Sequence, residues 1–184
     1  MAIKIPLDTL GRDSLRLWTR WLMAALRNDA RRLAGLREPS AAMPAQALVG
    51  VTYRCDSRCS HCAIWRDYIQ QPELAAQEMT LAEFERFLDR NPQLAQVVTT
   101  GGEQFNRDDI VDFWLAMDRR GQRTSCATNA IEADRIIERE TFLLSRLSGR
   151  HLRNLGVSLD GTETVHDRIR GVKGNFASAW RLFQ

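Results

Sequence analysis

Apolar and polar positions after residue 45 follow two spacings that alternate along the chain. Four short apolar runs predict strands, at about 47–54, 96–100, 123–128 and 155–159. Apolar residues every three or four positions predict the helices between and after them, which open at Thr80, at about Asp108, near residue 133 and at Asn175. Strands that alternate with helices are typical of a parallel sheet covered by helices, so we predict an α/β fold.

Two of these helices carry local end signals. Thr80 followed by Glu83 matches a capping box, in which each residue bonds the backbone N–H of the other. Gly121 follows the helix predicted at about 108–120, and glycine is the common residue just past a helix end.

Residues 1–44 differ from the rest of the chain in charge. They hold eight Lys or Arg and four Asp or Glu, so the net charge of +3 arises in this segment. Its apolar residues recur at helical spacing, with most arginines off that stripe; the apolar set is Leu15, Trp18, Leu22, Leu26 and Leu33, and the arginines are Arg16, Arg20, Arg27 and Arg31. We predict a basic amphipathic helical extension and linker over 1–44.

Two interpretations of that extension stay open. Its apolar stripe either packs on the core or makes peripheral contact with a membrane surface, which Trp18, Trp21 and the arginines favour. No nucleic-acid partner is expected, because no pattern of interleaved aromatic and basic residues follows.

Cys55, Cys59 and Cys62 lie within eight residues, directly after the first predicted strand. Thiolates at this spacing converge on a soft metal centre, either zinc or an iron–sulfur cluster. A structural zinc site normally has four ligands in paired short loops, and no second CxxC or HxxxH pair follows. On a cubane cluster, three cysteines leave one iron open for a non-protein ligand. His61, between the cysteines, is a further candidate ligand.

The run CDSRCSHC resembles the CxxxCxxC signature of the radical S-adenosylmethionine (SAM) enzymes, which follows the first strand of a partial (β/α) barrel. The resemblance implies a [4Fe–4S] cluster on Cys55, Cys59 and Cys62, with SAM chelated to the open iron. It also implies reductive cleavage of SAM to a 5′-deoxyadenosyl radical, which abstracts hydrogen from a substrate. His61 matches a position whose ring packs beside the adenine.

The segment VVTTGGEQF, at 97–105, resembles the GGEP motif of the same family, with Gln104 in place of the usual proline. Two glycines allow the backbone to approach a ligand closely, and Glu103 can accept a hydrogen bond from an ammonium. The resemblance therefore places Gly101, Gly102 and Glu103 in the SAM site.

The segment RTSCATNA resembles the family's TNG segment, with Ala130 in place of glycine, which makes Asn129 a candidate cofactor residue. All of these candidates follow strands. They therefore fall at the carboxyl edge of the predicted sheet, where (β/α) barrels place their active sites.

The segment NLGVSLDGTETVHDRIRG, at 154–171, resembles the fourth-strand region of the subgroup that often carries a SPASM or twitch extension. There, Ser158 matches a serine near the SAM ribose and carboxylate. Arg170 matches an arginine that pairs with the SAM carboxylate, a use that suits its planar guanidinium. Asp160 and His166 match the motif without a defined role, and Asp160 also suits the start of a turn.

We predict that 45–184 is an incomplete radical SAM core, a partial (β/α) barrel with about four of the usual six parallel strands. A missing C-terminal segment or a second chain would complete it, and impaired activity is expected of this chain alone. The implied partners are an external electron donor and an unknown substrate, either a peptide or a small molecule.

Clustered cysteines, and the absence of any uninterrupted apolar run of about 18 residues, predict a cytoplasmic protein. Two competing hypotheses are kept. One is a non-catalytic zinc- or cluster-binding interaction module, and the other is a degenerate relative that holds the cluster without chemistry.

Overall fold

The computed structural model describes residues 19, 22, 23, 26, 29, 30, 33, 34, 44–148 and 153–184. Its sheet has four parallel strands, which lie side by side in the same order as they occur along the chain. The strands are β1 (Gln46–Thr52), β2 (Gln96–Gly101), β3 (Arg123–Thr128) and β4 (Arg153–Val157). The predicted α/β fold with a parallel sheet is confirmed.

Six α-helices of the described residues connect and follow the strands. They are α1 (Ile64–Gln70), α2 (Leu81–Arg90), α3 (Ile110–Arg119), α4 (Ala133–Arg146), α5 (Glu163–Arg170) and α6 (Asn175–Arg181). Two short 3₁₀ helices, Pro72–Gln77 and Gln104–Asn106, lie after α1 and after β2.

The bounds of β1 and β4 differ from the prediction by two residues; β1 ends at Thr52 and not at residue 54. β4 lies two residues earlier than expected, because its pairing with β3 runs from Arg153 to Val157 and the chain then leaves the sheet. The Ser158 N–H still donates to the Thr128 carbonyl at 3.0 Å, so residue 158 closes the ladder without extending the strand. The last helix begins at Asn175, as predicted, and ends at Arg181.

The predicted capping box at the start of α2 is present. The Glu83 N–H donates to Thr80 Oγ1 at 3.3 Å, and the Thr80 N–H donates to Glu83 Oε2 at 2.9 Å. Two backbone donors that have no partner inside the helix are thereby satisfied.

Aromatic residues form the part of the core beneath the carboxyl end of β2. The rings of Phe84 and Phe113 stack between α2 and α3 with centroids 4.8 Å apart, and Phe105 meets Trp114 edge-on at 5.2 Å. The fully buried Trp114 indole donates to Thr99 Oγ1 at 3.0 Å, so its polar atom is satisfied. This contact fixes α3 to the strand that leads into the glycine motif.

Part of the N-terminal extension lies within the described residues. Residues 22, 26 and 33 are helical, and Leu22, Leu26 and Leu33 are 56%, 54% and 90% exposed. The other residues of the predicted amphipathic pattern lie outside the described residues; they are Leu15, Arg16, Trp18, Arg20, Trp21, Arg27 and Arg31. In the part of the chain that the structure describes, no helix combines the length and apolarity needed to span a bilayer.

Candidate cofactor site

The three motif cysteines lie on one loop between β1 and α1, which we call the cysteine loop (residues 53–63). All three are free thiols; Cys59 is buried, and Cys55 and Cys62 are half-buried. The Cys59 carbonyl accepts from the Cys62 N–H at 3.3 Å and from the Trp65 indole at 3.0 Å. The loop is therefore folded back against the start of α1, with no sulfur consumed in a disulfide.

The carboxyl end of α5 holds the other side of the cysteine loop. The last carbonyls of a helix lack partners inside it, and here the Arg58 N–H donates to the Arg170 carbonyl at 2.8 Å and the Ser60 N–H to the Ile169 carbonyl at 2.9 Å. Gly171 follows with φ +67°, and a Cβ there would lie 2.7 Å from the Arg58 carbonyl oxygen. The two backbones therefore touch without any side chain between them.

Two side-chain N–H groups reach sulfur atoms of the loop. Arg170 Nη1 lies 3.8 Å from Cys59 Sγ, and Asn129 Nδ2 lies 3.9 Å from Cys55 Sγ. The Asn129 amide also donates to Asp56 Oδ1 at 2.6 Å. Two of the three sulfurs thus face donors that favour negative charge on sulfur.

Asp160 holds Arg170 in place. Arg170 Nε donates to Asp160 Oδ2 at 2.5 Å, and Nη2 donates to Oδ1 at 3.1 Å, which is a two-point ion pair. The sequence left the role of Asp160 undefined, and the structure shows it as the partner of this guanidinium. The predicted pairing of Arg170 with the SAM carboxylate stays a prediction.

His166 belongs to a buried chain of hydrogen bonds that ends at Asn129. The Asp160 N–H donates to His166 Nδ1 at 3.2 Å, so Nε2 carries the proton and donates to Asn175 Oδ1 at 3.1 Å. Asn175 Nδ2 in turn donates to the Asn129 carbonyl at 2.8 Å. His166 and Asn175 are 0% and 1% exposed, so α5 and α6 position the residue that reaches Cys55.

Glu103 ties the ends of β2 and β3 together. Its Oε2 accepts from the Asn129 N–H at 2.7 Å and from Thr128 Oγ1 at 3.0 Å, and its Oε1 accepts from the Phe105 N–H at 3.2 Å. Burial outweighs these donors and raises the pKa of the carboxyl to about 7. A carboxylate offers about four acceptor positions, so Glu103 retains capacity for the ammonium predicted from the sequence.

Gly102 lies against the start of the cysteine loop. Its N–H donates to the Thr52 carbonyl at 2.7 Å, and the next N–H, of Glu103, donates to the Arg54 carbonyl at 2.7 Å. A Cβ on Gly102 would lie 2.1 Å from the Arg54 oxygen, and one on Gly101, where φ is +122°, would lie 2.1 Å from the Thr52 oxygen. The two glycines therefore allow the end of β2 to lie directly against the backbone that precedes Cys55.

Gln104, which replaces the usual proline, bridges two strands. Its Nε2 donates to the Thr99 carbonyl at 2.9 Å and to the Ala127 carbonyl at 3.3 Å. The register of β2 with β3 ends at Val98 and Ser125, so this side chain links the strands beyond the end of their ladder. Proline has no group that does this.

Two other predicted site residues are less tightly connected. His61 is exposed on the cysteine loop, and Ser158 is half-buried just after β4, at the same edge of the sheet. The hydrogen-bonded centre of the site is the set Cys55, Cys59, Glu103, Asn129, Asp160, His166 and Arg170.

Sequence reasoning missed an acidic residue and a basic residue that anchor the entry to the cysteine loop. Glu78 Oε1 accepts from Thr52 Oγ1 and from the Tyr53 N–H, both at 2.8 Å. Arg107 Nη1 donates to the Val51 carbonyl at 2.7 Å and lies 3.5 Å from Glu78 Oε2. No local pattern marks Glu78, because its partners lie 26 and 25 residues earlier in the chain. Asn175 was predicted only as a helix start for the same reason.

Comparison with known families matches residues 49–184 to the radical SAM superfamily. This chain belongs to that superfamily. The predicted radical SAM family and partial barrel are therefore confirmed. The cofactor pair of radical SAM enzymes is a [4Fe–4S] cluster and SAM, as the resemblance implied.

Curated relatives of this radical SAM chain include two biosynthetic proteins. Fe-coproporphyrin III synthase of Methanosarcina barkeri is 29% identical over 134 residues, which cover 71% of this chain and 31% of the relative. The antilisterial bacteriocin subtilosin biosynthesis protein AlbA of Bacillus subtilis is 27% identical over 148 residues, which cover 77% and 30%. The chain thus spans about a third of the length of these relatives.

Solved structures with the same fold include SuiB of Streptococcus suis. SuiB bound to S-adenosylmethionine superposes with a TM-score of 0.61 at 18% identity, and SuiB bound to the precursor peptide SuiA with 0.62 at 19%. Each match covers 86% of this chain and 34% of SuiB, so the likeness concerns the fold of one part of that protein.

The donor set of this radical SAM chain fits an iron–sulfur cluster. Three free thiols share one loop, and two of their sulfurs face N–H donors. Burial raises the pKa of the Cys55 thiol to about 11, and a coordinated metal is what deprotonates such a thiol. Among the described residues no three His, Cys, Asp or Glu side chains are grouped around one metal-ion position; a cubane instead binds each thiolate to a different iron.

Proposed function

We propose that this chain binds one [4Fe–4S] cluster through Cys55, Cys59 and Cys62 and one SAM at the open iron, as the radical-generating part of a radical SAM enzyme. The observation that supports this most directly is the meeting of the three free thiols with the glycine–glutamate motif at one edge of the sheet. The backbone bond from Glu103 to Arg54 joins the two motifs.

When bound, the cluster and SAM would supply one chemistry, the one-electron reductive cleavage of the sulfonium to methionine and a 5′-deoxyadenosyl radical able to take a hydrogen atom from a substrate, with the electron coming from an external donor. The protein binds and orients. Glu103 accepts from the methionyl ammonium with its remaining acceptor position, and the three donors it already holds keep its carboxylate fixed. Ser158 and Asn129 stand at the same edge as candidate SAM contacts.

A peptide is the substrate class that we favour for the complete enzyme. The relative AlbA is named for the biosynthesis of a bacteriocin, and SuiB was solved with a precursor peptide. Fe-coproporphyrin III synthase is named for a different product, so a small-molecule substrate is the alternative.

Anaerobic reconstitution with iron and sulfide tests the cluster assignment. The wild-type chain should turn brown and bind about four irons, and Cys59→Ala should bind none. Cys126→Ala is the matched control, because Cys126 is equally buried but lies on β3, where its sulfur accepts from Arg153 at 2.9 Å. One colourless zinc per chain would favour the zinc-binding interaction module and contradict the proposal.

SAM binding is tested on the reconstituted chain by equilibrium titration. Glu103→Ala should retain the cluster and bind SAM more weakly, because the chain then lacks the acceptor for the ammonium. Unchanged affinity would refute the role of Glu103.

A further inference from the structure

We propose that Arg170, fixed by Asp160, raises the reduction potential of the cluster by acting on the Cys59 sulfur. This inference rests on the proposed function, since it requires the cluster to be bound. It assigns Arg170 to the electronic state of the cluster, which is a different role from the SAM carboxylate contact implied by the resemblance.

The geometry of the guanidinium leaves one nitrogen for the sulfur. Asp160 occupies the edge formed by Nε and Nη2, at 2.5 and 3.1 Å. A guanidinium is planar, so fixing two of its nitrogens also fixes the third. That third nitrogen, Nη1, lies 3.8 Å from Cys59 Sγ. The side edge of the guanidinium, formed by Nε and Nη2, is therefore already filled by a carboxylate of the chain itself.

The sulfur is held by the same helix end as its donor. Cys59 stands between Arg58 and Ser60, whose N–H groups donate to the carbonyls of Arg170 and Ile169 at 2.8 and 2.9 Å. Donor and acceptor are therefore both anchored to the last turn of α5. Their separation does not depend on the flexible stem of a lone surface arginine.

Burial makes the charge-assisted N–H contact from Arg170 to the Cys59 sulfur effective, although Asp160 balances the net charge of the guanidinium. The side chains of Arg170 and Asp160 are 12% and 24% exposed, so solvent and salt screen them less than surface groups. Arginine keeps its charge at every working pH. A reduced cluster carries one more negative charge than an oxidised one, and hydrogen bonds to sulfur and nearby positive charge stabilise it. Since SAM cleavage starts from the reduced cluster, this contact favours the competent state.

A redox titration followed by the EPR signal of the reduced cluster tests the inference, with SAM absent. Arg170→Gln should lower the equilibrium constant for reduction at least tenfold, which equals 59 mV for a one-electron couple. The matched control is Arg168→Gln, which removes the same charge from the last turn of the same helix but at an exposed position. Its potential should equal that of the wild type.

Arg170→Lys provides a second variant that keeps the charge. A lysine keeps the positive charge but cannot bridge Asp160 and Cys59 with a rigid planar group. We therefore expect the reduction potential of Arg170→Lys to fall below that of the wild type, but by less than in Arg170→Gln. Equal potentials for Arg170→Gln and the wild type, or equal shifts for Arg170→Gln and Arg168→Gln, would overturn the inference. Weaker SAM binding by Arg170→Gln at an unchanged potential would also overturn it and favour the SAM carboxylate role.

The failure of the proposed function gives a different result. In that case the wild-type chain itself would show no cluster signal after reconstitution, whatever stands at position 170. A wild-type cluster whose potential is insensitive to Arg170 contradicts only the present inference.

Discussion

A methyl group at Gly102 should disrupt the junction between the glycine motif and the cysteine loop. In Gly102→Ala, the new Cβ would lie 2.1 Å from the Arg54 carbonyl oxygen, 2.7 Å from the Arg54 carbonyl carbon and 3.0 Å from the Tyr53 carbonyl carbon. All three atoms belong to the backbone, so no side-chain rotation relieves the contact. The two chain segments must separate by roughly 1 Å or more to reach van der Waals distance.

That separation weakens the two hydrogen bonds that join the segments. The Gly102 N–H to Thr52 and Glu103 N–H to Arg54 bonds, both 2.7 Å, are worth about 1 kcal/mol each. Overpacking itself costs about 1–3 kcal/mol. We therefore expect Gly102→Ala to lower the free energy of unfolding by about 3–5 kcal/mol, a large share of the roughly 5–15 kcal/mol of a typical domain.

Gly50→Ala provides the matched control. It makes the same change on β1, where a Cβ would meet nothing within 4 Å, so stability should stay equal or rise by up to about 1 kcal/mol. Urea unfolding of the cluster-free chains measures the difference, and iron content after reconstitution reports on the loop, because the displaced Arg54 precedes Cys55. If Gly102→Ala and Gly50→Ala unfold at the same urea concentration and bind equal iron, the reasoning is wrong.

Three further predictions concern buried polar groups. Glu78→Ala should lower the free energy of unfolding by about 1–3 kcal/mol, because the Thr52 hydroxyl and the Tyr53 N–H lose their acceptor and Arg107 keeps only Asp109 as its carboxylate partner. Glu85→Ala, which breaks surface ion pairs, should lower it by less than about 1 kcal/mol; urea unfolding compares the two variants. Burial raises the pKa of Glu103 from an ordinary 4.5 to about 7, so ionisation of this carboxyl is disfavoured in the folded state. The protonated carboxyl stabilises the fold fully below pH 4.5, and roughly 3 kcal/mol of that stability is lost as the pH rises through 7. Glu103→Gln should remove that slope from the pH profile of urea unfolding. Asn175→Ala should cost about 2–4 kcal/mol in thermal or urea unfolding, because it leaves two buried partners unpaired, while Asn106→Ala, at an exposed contact, should cost less than about 1 kcal/mol.

Each of these has a clear contrary result. Equal unfolding midpoints for Glu78→Ala and Glu85→Ala would show that the buried pair does not hold the loop entry. A pH profile that Glu103→Gln leaves unchanged between pH 4.5 and 7 would show that this carboxyl does not titrate there. If the Asn175→Ala protein is as stable as the Asn106→Ala protein, the hydrogen bonds that link His166 to Asn129 through Asn175 do not contribute to stability as argued.

The strands and most helices were predictable because their apolar positions are local and periodic. α1 and α5 were missed, and both are short, at 7 and 8 residues. Half of the α5 residues are charged and only Val165 and Ile169 are apolar, so the sequence pattern does not reveal the contacts of α5 with the cysteine loop and with α6. β4 was placed two residues late because the apolar Leu159 continues the alternating pattern after the chain has left the sheet at Val157.

The site was predictable wherever a motif keeps its residues close together in the chain. The cysteines, the glycine pair and Asn129 follow strands directly, and parallel strands bring their carboxyl ends to one edge. The bonds from Arg107 to the Val51 carbonyl and from Asn175 to the Asn129 carbonyl were not predictable, because they join residues that are 56 and 46 positions apart. In the sequence Gln104 is only a replacement of the usual proline, and its hydrogen bonds to two carbonyls show that it joins β2 to β3.

The attachment of the cysteine loop to α5 sets an order of events during biosynthesis. Cys59 and Arg170 are separated by 111 residues, so the thiols leave the ribosome well before the helix end that shapes their loop. Contacts this distant form late, after the intervening units have closed the gap. A nascent chain that stops before Glu163 would already display all three thiols and still lack the helix end that holds their loop, so we expect the proposed cluster to be loaded after the fourth strand–helix unit is complete.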